Sequence, residues 1–160
     1  MDCLDTYLNM HLSYKDYYIM NNDYLTKENV TPELLYYNIN SDVEILLNRL
    51  CISPSKQGYK YWKDAIYLTI LNNAGYMSIC KEIYPNIAKK YNKTAISVER
   101  AMRVCFESVL YDNSKREPDY IFTYMKNYLL YPHNSELLAK LTELVVSKEF
   151  QKIKSSFKSV

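Results

Sequence analysis

Three observations predict an all-α protein. Its 160 residues include only 2 Gly and 5 Pro, too little turn chemistry for a sheet-rich fold. Apolar residues recur at three- and four-residue spacing through most of the chain after residue 40. Helix-start signals stand directly before several of these stretches, as in Thr31-Pro32-Glu33, Ser41-Asp42-Val43-Glu44 and Asn134-Ser135-Glu136. The length suits one domain with a real core and a small appendage, and no internal repeat is visible.

In chain order, residues 2–12 and 14–20 read as weakly helical, with Leu4, Tyr7, Leu8 and His11 on one side. Asn21 to Asn29 is polar and reads as a loop. Thr31 caps a helix, with Pro32 at its first position, which is expected to end near Asn38. Residues 1–40 therefore form an arm with too little apolar surface to fold alone, which must pack on the body or pair with another chain. The body, residues 41–160, opens with a capping box at Ser41–Glu44 and a helix to about Cys51 that turns Val43, Leu46, Leu47 and Leu50 inward. A helix from about Lys56 to Asn72 buries Tyr59, Trp62, Ile66, Thr69 and Ile70, and Asn73-Ala74-Gly75 breaks it. Residues 76–82 form a short helix.

The centre of the chain is Tyr84–Val109, two helices joined by a tight turn. Pro85 suits a first helical turn, and small Ala88 suits a helix crossing. Asn92 tolerates the left-handed turn position, and Thr94 caps the second helix. Val98, Ala101, Met102, Cys105, Phe106 and Val109 make one apolar stripe, leaving Ser97, Arg100, Arg103 and Glu107 on the other face with Glu99 at its flank. A small buried residue, a turn residue four on and a buried Val six further is the spacing of a DNA-binding helix-turn-helix, although many helical hairpins share it. Beyond it, Tyr111 to Pro118 reads as a charged loop and Ile121 to Leu130 as a helix. The last helix starts at Asn134-Ser135-Glu136, with Leu137, Leu138, Leu141, Leu144 and Val145 apolar; the basic tail from Ser147 extends it or frays.

Charge is unevenly placed. Residues 1–47 hold eight acids and two lysines, a charge of −6, and the rest holds eighteen basic and ten acidic residues, +8. A basic body suits an anionic partner, although a solvated surface has the same count. The 18 Tyr beside abundant Asn, Lys and Ile read as AT-rich codon usage. Cys3, Cys51, Cys80 and Cys105 form no paired motif and read as reduced, buried thiols of a cytoplasmic protein. His11 and His133 are far apart, so neither a metal site nor a cofactor is expected. No nucleophile–base pair, paired carboxylates or phosphate loop points to an enzyme. No apolar run is long enough for a bilayer, and Met1–Met10 carries acids, unlike a signal peptide, so no membrane association is expected.

Four blocks, GYKYWKDAI (Gly58–Ile66), KEIYPNIAKKYNKTA (Lys81–Ala95), VERAMR (Val98–Arg103) and NSE (Asn134–Glu136), give the chain from about Asp42 to Glu149 a recognisable pattern. It resembles the DNA-binding effector domain of the stage-zero sporulation master response regulator of spore-forming Firmicutes. The resemblance implies a compact bundle of about six helices with a central helix-turn-helix, sequence-specific binding to short double-stranded promoter boxes, frequently as tandem dimers, and contact with RNA polymerase. There are two departures. The full-length regulators carry a phosphorylatable receiver domain, whereas about forty acidic, Tyr-rich residues precede the matching region here, so phosphorelay control by that route is expected to be absent. Where the family has Ser-Arg and a His in the recognition helix, this chain has Ile96-Ser97 and Val104, while Glu99, Arg100 and Arg103 are kept.

The expected base-reading residues are Ser97, Glu99, Arg100 and Arg103. Arg100 suits a guanine edge and Glu99 a cytosine amine. The local alternative is that Glu99–Arg103 and Arg103–Glu107 merely steady the helix as i,i+4 pairs. Lys56, Lys89, Lys90, Lys93 and Thr94 are the expected phosphate contacts, Lys56 because it opens a helix and the others because they border the turn. Tyr59, beside Lys56, reads as either a phosphate contact or core, and Trp62 as core. Two functions stay open: a receiver-free, homodimeric transcriptional regulator, or a decoy that pairs with the full-length sporulation regulator or another factor and antagonises it. Loss of basic and polar groups at Ile96, Ser97 and Val104 favours the decoy.

Overall fold

The computed structural model describes residues 12–72, 78–113 and 119–157, and all regular elements among them are helical. They are α1 (Tyr14–Asn21), α2 (Pro32–Arg49), α3 (Gln57–Leu71), a π-helical turn (Ile79–Ile83), α4 (Tyr84–Tyr91), α5 (Ala95–Val104), α6 (Val109–Asn113), α7 (Tyr120–Leu129), α8 (Asn134–Val146) and α9 (Lys148–Phe157). The all-α expectation holds, and the bundle is close to the expected six-helix arrangement, with α1 and α9 added at its ends.

The core centres on α3, whose Trp62, Ala65, Ile66 and Ile70 are fully buried. It packs against α5, α2 and α8. Two expectations for α2 fail together: it neither ends near Asn38 nor restarts at a Ser41 capping box, but runs through as one 18-residue helix. Asn38, near which the helix is expected to end, and Asn40 donate their amides to the carbonyls of Leu34 (2.8 Å) and Tyr36 (3.0 Å), satisfying themselves inside the helix. Leu35, Ile39, Val43, Leu46 and Leu47 then form one buried stripe across the supposed junction. Glu44, instead of closing a capping box, accepts from Lys63 Nζ at 2.6 Å.

The end of α2 is a motif that glycine usually marks. Cys51 adopts φ 62°, Ile52 N–H donates to Leu47 O at 3.1 Å and Cys51 N–H to Asn48 O at 3.0 Å. This is a Schellman closure, with the buried Ile52 and Leu47 as its apolar contact. Cys51 and Cys80 are exposed, against the expectation of buried thiols; Cys105 alone of the three described cysteines is buried. Burial pushes its thiol up to about 11. Cys3 lies outside the described residues, as do Leu4, Tyr7, Leu8, His11 and the 73–75 break.

The first and last of the described helices meet. Tyr18 of α1 is fully buried and donates its hydroxyl to Asp42 of α2 at 2.6 Å. From α9, Lys154 Nζ reaches both Asp42 oxygens (3.1 and 3.2 Å) and Gln151 Nε2 reaches one of them (3.0 Å). Asn21 Nδ2 donates to Val146 O at 2.9 Å. Thus α1 docks on the body, chiefly against α8 and α3. The basic tail is a helix of its own, with Phe150 and Lys154 buried. Arg49 closes the same end of the bundle, donating from Nε to Asp119 at 3.0 Å and lying 4.6 Å from the centre of the Phe157 ring. Asp119 in turn caps α7 by accepting from Phe122 N–H at 2.8 Å.

Candidate nucleic-acid interface

The helix-turn-helix forms as its residues predict. Asn92 lies in the left-handed region at φ 53° and ψ 53°, and Lys93 N–H returns to Ala88 O at 2.8 Å. Pro85 stands in the first turn of α4. Thr94 Oγ1 accepts from Ser97 N–H at 3.1 Å and starts α5. Ile87 and Ala88 of α4 and Val98 and Met102 of α5 are buried between the two helices and α3.

One expectation fails at the far end. The second helix does not run on to Val109: α5 stops at Val104, and residues 105–108 form tight turns before α6, which occupies the start of the expected loop. The stripe residues Cys105, Phe106 and Val109 are nonetheless buried, because the turns keep them on the core side. The break is sealed by Trp62, whose indole N–H donates to Met102 O at 2.9 Å while its ring meets Phe106 edge-on at 5.0 Å. Phe106 N–H, no longer able to serve Met102, bonds Arg103 O at 3.1 Å.

Three residues seat α5, none of which composition alone marks as functional. Gly58 lies against its backbone: a Cβ there would collide with the Ala101 carbonyl and Cys105 Sγ. Only glycine allows α3 so close. Trp62 holds the Met102 end. Asn134, first residue of α8, donates from Nδ2 to Glu99 O (3.1 Å) and Tyr84 Oη (2.9 Å), tying both helices of the motif to α8. Gly58, Trp62 and Asn134 all sit inside the blocks that carry the family resemblance; helical spacing also marks Trp62 as core and Asn134 as a helix start, but only the resemblance singles out Gly58.

On the outer face the expected readers differ in availability. Arg100 is exposed and makes no hydrogen bond or ion pair with the rest of the chain among the described residues. Arg103 is held between Glu99 (3.2 Å) and Glu107 (3.5 Å), so the local pairing anticipated from sequence is present. Ser97 Oγ donates to Thr94 O at 2.8 Å, leaving its oxygen to accept. Ile96 is 80% exposed and Val104 is also exposed.

The candidate phosphate residues also separate. Lys93 lies exposed in the turn just before the Thr94 cap, and Lys89 is exposed on α4. Lys90 is engaged: Nζ sits 3.0 Å from both oxygens of Asp64. Tyr91 donates its hydroxyl to the same carboxylate at 2.6 Å. Burial, then the hydrogen bond to Asp64, pushes the Tyr91 phenol up to about 12. Lys60 Nζ lies 4.6 Å from the Tyr91 ring centre. Lys56, half-buried, is the N-cap of α3 without a side-chain cap bond. Its neighbour Tyr59 is core, with its hydroxyl on Asn48 Oδ1 at 3.0 Å.

No helix among the described residues is long and apolar enough to cross a membrane. No solved structure matches the chain. The family model described as "Sporulation initiation factor Spo0A C terminal" matches residues 43–145, which run from the buried stripe of α2 to the end of α8 and contain the whole helix-turn-helix. With well over half of its length matched, the chain belongs to the Spo0A C-terminal family, the DNA-binding effector domains of sporulation control.

Proposed function

We propose that this chain is a sequence-specific transcriptional regulator that reads double-stranded DNA through the outer face of α5, without phosphorelay control. The observation that carries this reading is Arg100: an exposed guanidinium with no partner in the described chain, on a helix fixed from behind by Gly58, Trp62 and Asn134. A fork of donors left free on a rigid helix suits the two acceptors of a guanine edge. Ser97 accepts from an exocyclic amine beside it, and Glu99 and Arg103 read a neighbouring base as one coupled pair. Lys93, Lys89, Lys56 and the Thr94 hydroxyl proton take phosphates. Lys90 contributes less, because phosphate must compete with Asp64 for it.

Selection from a random duplex pool tests this directly. The expected result is a short consensus bound with an affinity that falls steeply as salt rises, because phosphate contacts release counterions. No binding to any duplex at low salt would reject it.

A second reading has its own support. Ile96 and Val104 expose apolar surface on the same helix, which suits a protein partner such as the full-length regulator or RNA polymerase. In that case the chain acts as an antagonist, and the selection returns no consensus. Homodimerisation on paired boxes belongs to the first reading, with α1 or the exposed Tyr111, Leu130 and Tyr131 as candidate contacts.

A further inference from the structure

The most exposed apolar side chain of the motif, Ile96, stands where a solvated helix end would ordinarily carry a polar group. At about 100° per residue, Ile96 and Arg100 lie within about 40° of each other, one turn apart. The buried residues Val98 and Met102 define the opposite side of the helix. Ile96 and Arg100 thus share the line of α5 that points farthest from the core. Ile96 lies in the first turn, between the Thr94 cap and Arg100, with the exposed Lys93 just before it. Any duplex whose bases meet Arg100 and whose phosphates meet Lys93 therefore brings a base edge against the Ile96 side chain.

Only thymine presents a methyl group in the major groove, at C5. The other bases offer donors and acceptors there, which an isoleucine would desolvate without replacement. Ser97, beside it, has spent its hydroxyl proton on Thr94 O, so it removes no acceptor requirement from that position. We infer that Ile96 is a specificity-determining residue that selects thymine next to the base read by Arg100, by packing on the thymine methyl. The inference rests on the DNA-reading function proposed above and deepens it. It also makes the exposed isoleucine part of the reading face, where the antagonist reading would make it a protein contact.

The test uses the full chain and the duplex returned by the random-pool selection. Each thymine of the box is replaced singly by deoxyuridine, which deletes the methyl and keeps the pairing, and binding is followed by fluorescence anisotropy. One replacement is expected to weaken the wild-type protein about fourfold, the equivalent of about 0.8 kcal/mol for one buried methyl-sized group. The Ile96→Ser variant, altered at an exposed position that leaves the core intact, should bind the thymine and deoxyuridine duplexes equally. A box without thymine beside the Arg100 base, indifference of the wild type to every deoxyuridine, or equal loss in Ile96→Ser would overturn the inference while leaving DNA reading intact. Failure to bind any duplex would instead remove the DNA-reading function, and this inference with it.

Discussion

An aspartate, a lysine and a tyrosine come together twice among the described residues, and the two clusters differ chiefly in how much water reaches them. Where α1, α2 and α9 meet, Asp42 and Lys154 are 3% and 9% exposed, with Tyr18 fully buried over them. At the back of the helix-turn-helix, Asp64 is nearly as buried, but its partner Lys90 is 51% exposed and Tyr91 half-buried. Both tyrosines donate to their carboxylate at 2.6 Å. In the first cluster each charge was stripped of water and depends on its partners; in the second, the lysine keeps its hydration and can be drawn away. The buried cluster is a fastener and the open one an adjustable contact. The fastener uses Tyr18, Asp42, Gln151 and Lys154, all outside residues 43–145, so it is an addition to the matched domain rather than part of it.

Removing Asp42 is the most direct way to break this comparison. Asp42→Ala strands a buried ammonium and should cost about 3–5 kcal/mol, whereas Asp64→Ala releases Lys90 to solvent and should cost clearly less. Chemical denaturation of both variants checks it, and equal losses would erase the distinction. Gly58→Ala is expected next, at about 1–3 kcal/mol, because α3 must back away from the Ala101 carbonyl. It should also weaken DNA binding beyond its effect on folding, read by anisotropy at a temperature where the variant is folded. Tyr18→Phe should cost about 1–3 kcal/mol by leaving one Asp42 bond unmade in a dry site. Tyr91→Phe should cost less, since water and Lys90 remain at Asp64. Smallest of all, Lys90→Ala should change stability by about 0–1 kcal/mol and lower DNA affinity less than Lys93→Ala does. A larger binding loss at Lys90 would show that phosphate displaces Asp64.

The same contrast explains what the sequence let us read. The helix-turn-helix is built from local signals: Pro85, Asn92 and Thr94 each act within a few residues of themselves, and each does so in the structure. The start of α8 and the extent of α3 were legible for the same reason. Failures came where the deciding partner is remote. Lys154 reads from sequence as part of a basic tail that extends α8 or frays, because Asp42 lies 112 residues away. The break after Val104 depends on Trp62, 40 residues from the carbonyl it caps. The continuity of α2 was hidden differently, by asparagines that satisfy themselves on carbonyls four residues back. For the candidate site, the spacing places Arg100 and Arg103 on one face, but only the structure separates the arginine without a partner among the described residues from the one held by Glu99 and Glu107.

One paired measurement tests that separation: affinities of Arg100→Ala and Lys93→Ala across the selected duplex and its single-base variants, both proteins first shown folded by circular dichroism. Arg100→Ala should lose about 1–3 kcal/mol on the preferred duplex and become indifferent to one base position, while Lys93→Ala weakens every duplex by a similar factor. Two variants with the same uniform loss would contradict a base-reading role for Arg100.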